Sequence, residues 1–350
     1  MLKNETKKRY KKIEKFLLKK DFNGFTKEDL FIMTIIKKGW GQDIAALSHM
    51  AESLVNLSFK YPENNRLYCN LLNQVFLRSI HPKVNPYKKD IFKINNLGKF
   101  GYYLEHLNII LGCCLILNKT DKYNDLNKKI TFHLIKNTIQ YDNYHADLLP
   151  HVNMKWAADQ AAILYSLWLY DKNNNTDYSS DIIKKWTNFM NQKGTHKKTG
   201  LYITEVLGTR NYSKQPRGCA LSYMIHYMSR FDNINAKNQW RLFKKNMMKN
   251  IFGRIGFREY LSTFNGRWSP DTGPIIAGCG VAATGLGLNA ASSINDSEVF
   301  NGLLKTMSPF GSAFNLAESV IGNNMLTRIG TDLLASSIWL NAETKEKWFS

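Results

Sequence analysis

Apolar residues recur along this chain at the i, i+3, i+4, i+7 spacing of an amphipathic helix, while the strict alternation of a half-buried strand is scarce. Six segments are poor in charge and rich in Ala, Gly, Leu and aromatics: 44–57, 103–117, 156–170, 219–228, 275–291 and 325–340. Their starts are roughly 50 to 60 residues apart. Between them lie lysine-rich amphipathic stretches at 123–137, 180–191, 236–252 and 298–307. A helix that is apolar on nearly every face must be buried, and an amphipathic one can cover it. Apolar helix and polar helix repeated at this period predict an all-α array of helical hairpins. Neither end reads as a polar capping repeat, so closure of six hairpins into an (α/α)6 toroid is expected over an open solenoid.

No interior run of Pro, Gly or Ser is long enough to part domains, so residues 1–350 read as a single domain. Residues 1–25 carry a basic helix with a narrow stripe of Tyr10, Ile13, Phe16 and Leu17 among lysines. The stripe is short for lipid anchoring, so docking on the barrel is expected, with peripheral membrane contact as the other reading.

Composition narrows the class further. Hydrophobic residues make up 44% of the 350, enough for a large core. No apolar run reaches the length of a membrane-spanning helix. The first residues read as no secretory signal, so a cytoplasmic setting is expected. Cys69, Cys113, Cys114, Cys219 and Cys279 fit no zinc spacing and read as buried free thiols. A net charge of +20 suits acidic partners. The lysines are dispersed, however, and no nucleic-acid module accompanies them, so nucleic acid is disfavoured and a small-molecule substrate is expected.

In a toroid the inner helices run the same way and their N-termini gather at one mouth, where free N–H groups suit oxygen-rich ligands. The most unusual residue there is Asp159, a carboxylate in the otherwise small and apolar 156–162. Such a site raises a carboxyl pKa unless the group is paired, and a raised carboxyl suits a general acid. Pairing with Arg217 or Arg258 is the structural alternative. Asp271, in Ser269-Pro270-Asp271-Thr272-Gly273-Pro274, reads as a helix start or as a second carboxylate opposite Asp159. Glu259 reads as a third carboxylate or a salt-bridge partner, Tyr260 as a hydroxyl donor, and Arg217 as an anchor for an oxygen or anionic group. Tyr103, Trp156 and Trp268 are expected to line the pocket. His106 opens an apolar helix and is a candidate for proton transfer. His145, Asp147 and His151 lack the spacing of a helical zinc pair, so no metal is expected. Gly278, Gly280, Gly285 and Gly287 read as small residues for close helix packing rather than a dinucleotide fingerprint.

Several of these residues fall in short motifs. Tyr103-Leu104-Glu105-His106-Leu107-Asn108 resembles the Tyr-x-x-His-Leu-Asn segment of the linalool dehydratase/isomerase family. Tyr165-Ser166-Leu167-Trp168-Leu169-Tyr170-Asp171, Thr176-Asp177-Tyr178 and Arg258-Glu259 follow in similar order. The likeness covers about residues 45 to 260. It implies an (α/α)6 barrel, acid/base chemistry on a hydroxylated terpenoid with no metal or organic cofactor, an active-site role for His106, and a ring-like homo-oligomer. The family's two active-site cysteines align with Pro150 and Asp159, and its N-terminal catalytic aspartate has no counterpart.

The expected function is therefore a cofactor-independent lyase or isomerase acting on a hydroxylated small molecule. Its residues would be His106, Asp159, Asp271 and Glu259 for chemistry and Tyr103, Trp156, Arg217, Trp268 and Tyr260 for binding. A carbohydrate-active (α/α)6 hydrolase, lyase or epimerase is the alternative, and a non-catalytic binding protein a further one.

Overall fold

The computed structural model describes residues 2–34, 41–207, 213–251, 253–267, 269–307 and 332–349. Its helices are α1 (Asn4–Leu17), α2 (Gln42–Lys60), α3 (Asn65–Ser79), α4 (Gly101–Leu117), α5 (Asp121–Ile139), α6 (Ala157–Asn174), α7 (Ser180–Lys193), α8 (Gly218–Phe231), α9 (Asn233–Met247), α10 (Val281–Ile294), α11 (Ser297–Met307) and α12 (Leu333–Thr344). Strands β1 (Met248–Ile251) and β2 (Arg254–Phe257) form an antiparallel hairpin, as do the two-residue β3 (Ile275–Ile276) and β4 (Cys279–Gly280). No helix among the described residues is long and apolar enough to cross a membrane.

The chain groups into two compact units. The first comprises Met1–Asn96, His106–Lys128 and Met307–Ser350. The second comprises Leu97–Glu105 and Lys129–Thr306.

In the first unit α2 packs against α3 and α12. Every residue of α2 from Ile44 to Ser58 is buried, as its low charge predicts. That burial includes polar groups, which must find partners inside. Asn341 of α12 donates to Glu52 at 2.8 Å, Asn56 donates to the Asn341 side chain at 2.9 Å, and Trp348 donates to Asn56 at 2.7 Å. Helix α1 lays its apolar stripe on α12 and α3: Tyr10, Ile13, Phe16 and Leu17 are all buried. Arg9 fixes the docking by a two-pronged bond to Glu343 at 2.8 and 2.9 Å, with its guanidinium over Trp339. Arg78 of α3 closes the other end, donating to the carbonyls of Phe16, Leu17 and Lys19 at and just past the C-terminus of α1. The apolar face that a membrane-surface reading requires is thus used inside the unit.

In the second unit α8 is central, packed on α6, α9 and α10. Gly218 opens α8 where no side chain fits, since a Cβ there would lie 2.1 Å from the Arg258 carbonyl oxygen. The Trp-x-Tyr-Asp and Thr-Asp-Tyr motifs meet at the end of α6. Asp171 accepts from the Thr176 hydroxyl at 2.6 Å and from the amides of Tyr178 and Ser179 at 3.0 and 2.8 Å. This part of the motif set closes a turn and carries no chemistry.

Two sequence expectations shift here. The apolar run 275–291 is not helical throughout. Its first residues form the β3–β4 hairpin, so Asp271-Thr272-Gly273-Pro274 does not cap a helix. Instead Thr272 closes a tight turn with Ser269, and the carbonyls of Pro274 and Thr272 receive the first amides of α10. The run 236–252 likewise does not stay helical, since Met248–Ile251 pair backbone to backbone with Arg254–Phe257 in a hairpin.

Candidate functional site

In the second unit the N-terminal halves of α4, α6 and α8 bring Glu105, Asp159 and Tyr223 into a shared electrostatic cluster. Asp159 is the third residue of α6. It is half-buried, so it keeps contact with solvent. Burial pushes its carboxyl up to about 7, and the charge of Asp271 pushes in the same direction. Asp271 is exposed in the turn before β3. Glu105, one turn into α4, is fully buried. Its carboxyl is held well above the ordinary range by burial and then by Asp159, opposed by a long 3.4 Å contact from the Tyr223 hydroxyl of α8. Three carboxyls thus sense one another or share Asp159 as their neighbour, in three different environments.

Beside them lies a second, fully paired group. Glu259 is buried and accepts from Arg217 Nε at 2.9 Å, from the Cys219 amide at 3.2 Å and from Cys219 Sγ at 3.1 Å. Arg217 also donates to Ser269 Oγ at 3.1 Å and lies over the Tyr260 ring. Burial raises the Glu259 carboxyl, and Arg217 pulls it back. Gly280 is required by this arrangement, because a Cβ there would meet Glu259 Oε2 at 2.8 Å. Arg217 therefore pairs with Glu259 and leaves Asp159 as a candidate acid. Glu259 and Arg217 form a buried ion pair.

The remaining candidates distribute unevenly. Trp156 is half-buried at the position before α6, three residues from Asp159. Tyr103 is buried in the first turn of α4. The Tyr260 hydroxyl donates to the Arg267 carbonyl at 2.9 Å, so the expected donor to substrate is engaged elsewhere. Trp268 lies outside the described residues. His106 belongs to the first unit, fully buried. Burial, then His49, pulls it down to about 3, so its imidazole is neutral at physiological pH. His145 uses both ring nitrogens, on the Asn143 carbonyl and the Trp186 indole, Asp147 pairs with Lys155, and His151 is exposed, so this trio forms no metal site.

Sequence reasoning missed Glu105, Tyr223 and Cys219. Glu105 carried the same signal as Asp159, a lone carboxylate in an apolar helix, but sat beside the more conspicuous His106. Cys219 and Tyr223 gave no signal, because their relevance comes from what α8 packs against.

The raised Asp159 carboxyl links to stability. Its folded value of about 7 exceeds the ordinary unfolded value of about 3.9, so the fold favours the protonated form. That contribution is complete below about pH 4 and is lost as pH rises through about 7. Urea titrations at about pH 5 and pH 8 should show wild type losing stability relative to Asp159→Asn as pH rises. A constant difference between the two proteins would contradict the assignment.

The chain matches no protein-family model and no curated protein. Solved structures do match it. A family 76 glycoside hydrolase from a bovine Bacteroides thetaiotaomicron strain aligns with TM-score 0.53 at 9% identity, over 87% of this chain and 68% of that one. An inactive, doubly Asp-to-Ala variant of the alpha-1,6-mannanase of Salegentibacter sp. HEL1_6, in complex with alpha-1,6-mannotetrose, aligns with TM-score 0.51 at 12% identity, over 87% and 89%. A family 76 mannosidase from Bacteroides thetaiotaomicron VPI-5482 aligns with TM-score 0.52 at 11% identity, over 97% of both chains. Identities this low show the fold alone: an all-α (α/α)6 toroid, as the helical period predicts. The linalool dehydratase/isomerase likeness finds no support among these neighbours beyond the shared toroid.

Proposed function

We propose that this chain is a carbohydrate-active acid/base enzyme that cleaves a glycosidic bond. The observation that carries the reading is the pair Asp159 and Asp271: one carboxyl half-buried and raised to about 7, the other exposed, with the charge of Asp271 reaching Asp159. Two carboxyls held in unlike environments divide acid and base roles. Asp159 would donate its proton to the glycosidic oxygen as the bond to the anomeric carbon breaks. Asp271 would take a proton from the attacking water or bond to the anomeric carbon itself, according to the carboxyl separation in the substrate complex. The half-exposed face of Trp156 beside Asp159 suits an apolar sugar face. The mannanase and mannosidase neighbours favour a saccharide over the terpenoid that the sequence motifs implied.

The test is a panel of oligosaccharides and aryl glycosides, alpha-1,6-linked mannosides included, read by release of reducing ends. Cleavage of a panel member that is lost in Asp159→Asn supports the reading. An inert panel, combined with dehydration or isomerisation of a hydroxylated terpenoid by the same preparation, would overturn it.

A further inference from the structure

The segment between α5 and α6 contains a buried ion pair that the acid/base reading does not use. Lys155 has no exposed surface, and its Nζ donates to Asp147 Oδ1 at 2.5 Å. The Asp147 carboxylate also accepts from the Tyr141 hydroxyl at 2.8 Å and pairs with Lys99 at 3.2 Å. The Lys155 ammonium rests 3.7 Å from the centre of the Tyr141 ring. A fully buried lysine is costly to desolvate, and its retention calls for a reason beyond stability.

What the pair connects supplies that reason. The backbone of Asp147 holds the start of α4: its carbonyl accepts from Gly101 N at 3.2 Å, and the Leu148 carbonyl accepts from Tyr102 N at 3.1 Å. Gly101 permits this approach, since a Cβ would lie 2.3 Å from the Asp147 oxygen. Lys155 stands two residues ahead of α6, and its own carbonyl accepts from Val206 N at 2.8 Å. A parallel tie runs from the Gln160 side chain of α6 to the Ala146 amide at 2.8 Å. Glu105 is one turn into α4 and Asp159 lies in the first turn of α6.

We propose that the Asp147–Lys155 pair is a positioning device that brackets the N-termini of α4 and α6 and so sets the spacing between Glu105 and Asp159. Neither residue reacts; both act through the two carboxyls. The inference rests on the reading of Asp159 as the acid, but it concerns a spacing that is measurable without turnover. Asp271, from the turn before β3, acts on Asp159, and Asp159 acts in turn on Glu105 of α4 and on Tyr223 of α8.

The test uses the full chain with 13C-labelled Asp carboxyls, the Asp159 signal being assigned by its loss in Asp159→Asn. Asp147→Asn keeps size and the backbone bonds to α4 while removing the charge that holds Lys155, whose pKa burial already lowers, so the lysine can shed its proton. Lys155→Met is the second variant. The expected result is a folded protein in which Asp159 titrates at lower pH than in wild type, because a loosened bracket admits water to the carboxyl that burial now raises. On a glycoside that wild type cleaves, kcat should fall ten-fold or more with KM little changed, and Asp147→Glu should recover part of it. Unchanged Asp159 titration in either folded variant overturns the proposal. So does failure of both variants to fold, which would make the pair a folding element only. An inert glycoside panel with a shifted titration would instead sink the functional reading and leave the bracket standing.

Discussion

Asp159→Asn should lower kcat on a cleaved glycoside by about 10²- to 10⁴-fold, the range that loss of a positioned proton donor produces. The protein should remain folded, because Asp159 carries no structural load comparable to that of Glu259. Its carboxyl is half-buried, and the neighbouring charge of Asp271 disfavours ionisation. Asparagine keeps the shape and removes the charge, so at pH 8 the variant should melt at or above the wild-type temperature. Circular dichroism melting beside the kinetic assay separates the outcomes. A variant with wild-type turnover would remove Asp159 from the chemistry, and one that loses activity and stability together would mark it as structural. The same proton predicts that wild-type kcat declines as pH rises through about 7, where Asp159 gives up the proton it must donate.

The second large effect falls on stability. Glu259→Gln should cost about 3 to 5 kcal/mol, the usual result of breaking a buried ion pair from one side. Arg217 would keep its charge in a buried position with a neutral partner, and Cys219 would lose the carboxylate that accepts from both its amide and its thiol. Arg217→Met should cost a similar amount for the converse reason. The double variant Arg217→Met/Glu259→Leu should recover much of the loss, because the penalty lies in the stranded charge rather than in the absent pair. Urea denaturation of these proteins, with the Glu259→Leu single variant beside them, completes the cycle. Strictly additive losses would show that the two residues act on stability independently, contrary to the 2.9 Å bond.

The N-terminal helix illustrates how far the residue pattern reaches. Its stripe of Tyr10, Ile13, Phe16 and Leu17 specified a one-sided helix without specifying the surface beneath it. The partner is decided by Arg9 and Glu343, which are 334 positions apart. The motifs shared with the linalool dehydratase/isomerase family divided in the same way. Asp171 and Thr176 close a turn, whereas His106 is a buried neutral imidazole at the position the family likeness marks.

Glu105 and Asp159 mark the boundary most clearly. Each was readable on its own as a carboxylate in an apolar helix, and burial alone sufficed to expect a raised pKa for Asp159. The sequence by itself determined the helical period, the apolar inner segments and the presence of an unusual acid in one of them, because these follow from local spacing and hydrophobicity. Only the tertiary structure decided that Asp159 acts on Glu105, that Asp271 acts on Asp159, and that Arg217 pairs with Glu259 instead of either aspartate. Electrostatic coupling depends on distance through space, and residues from separate helices have that distance set by packing, which no local pattern encodes.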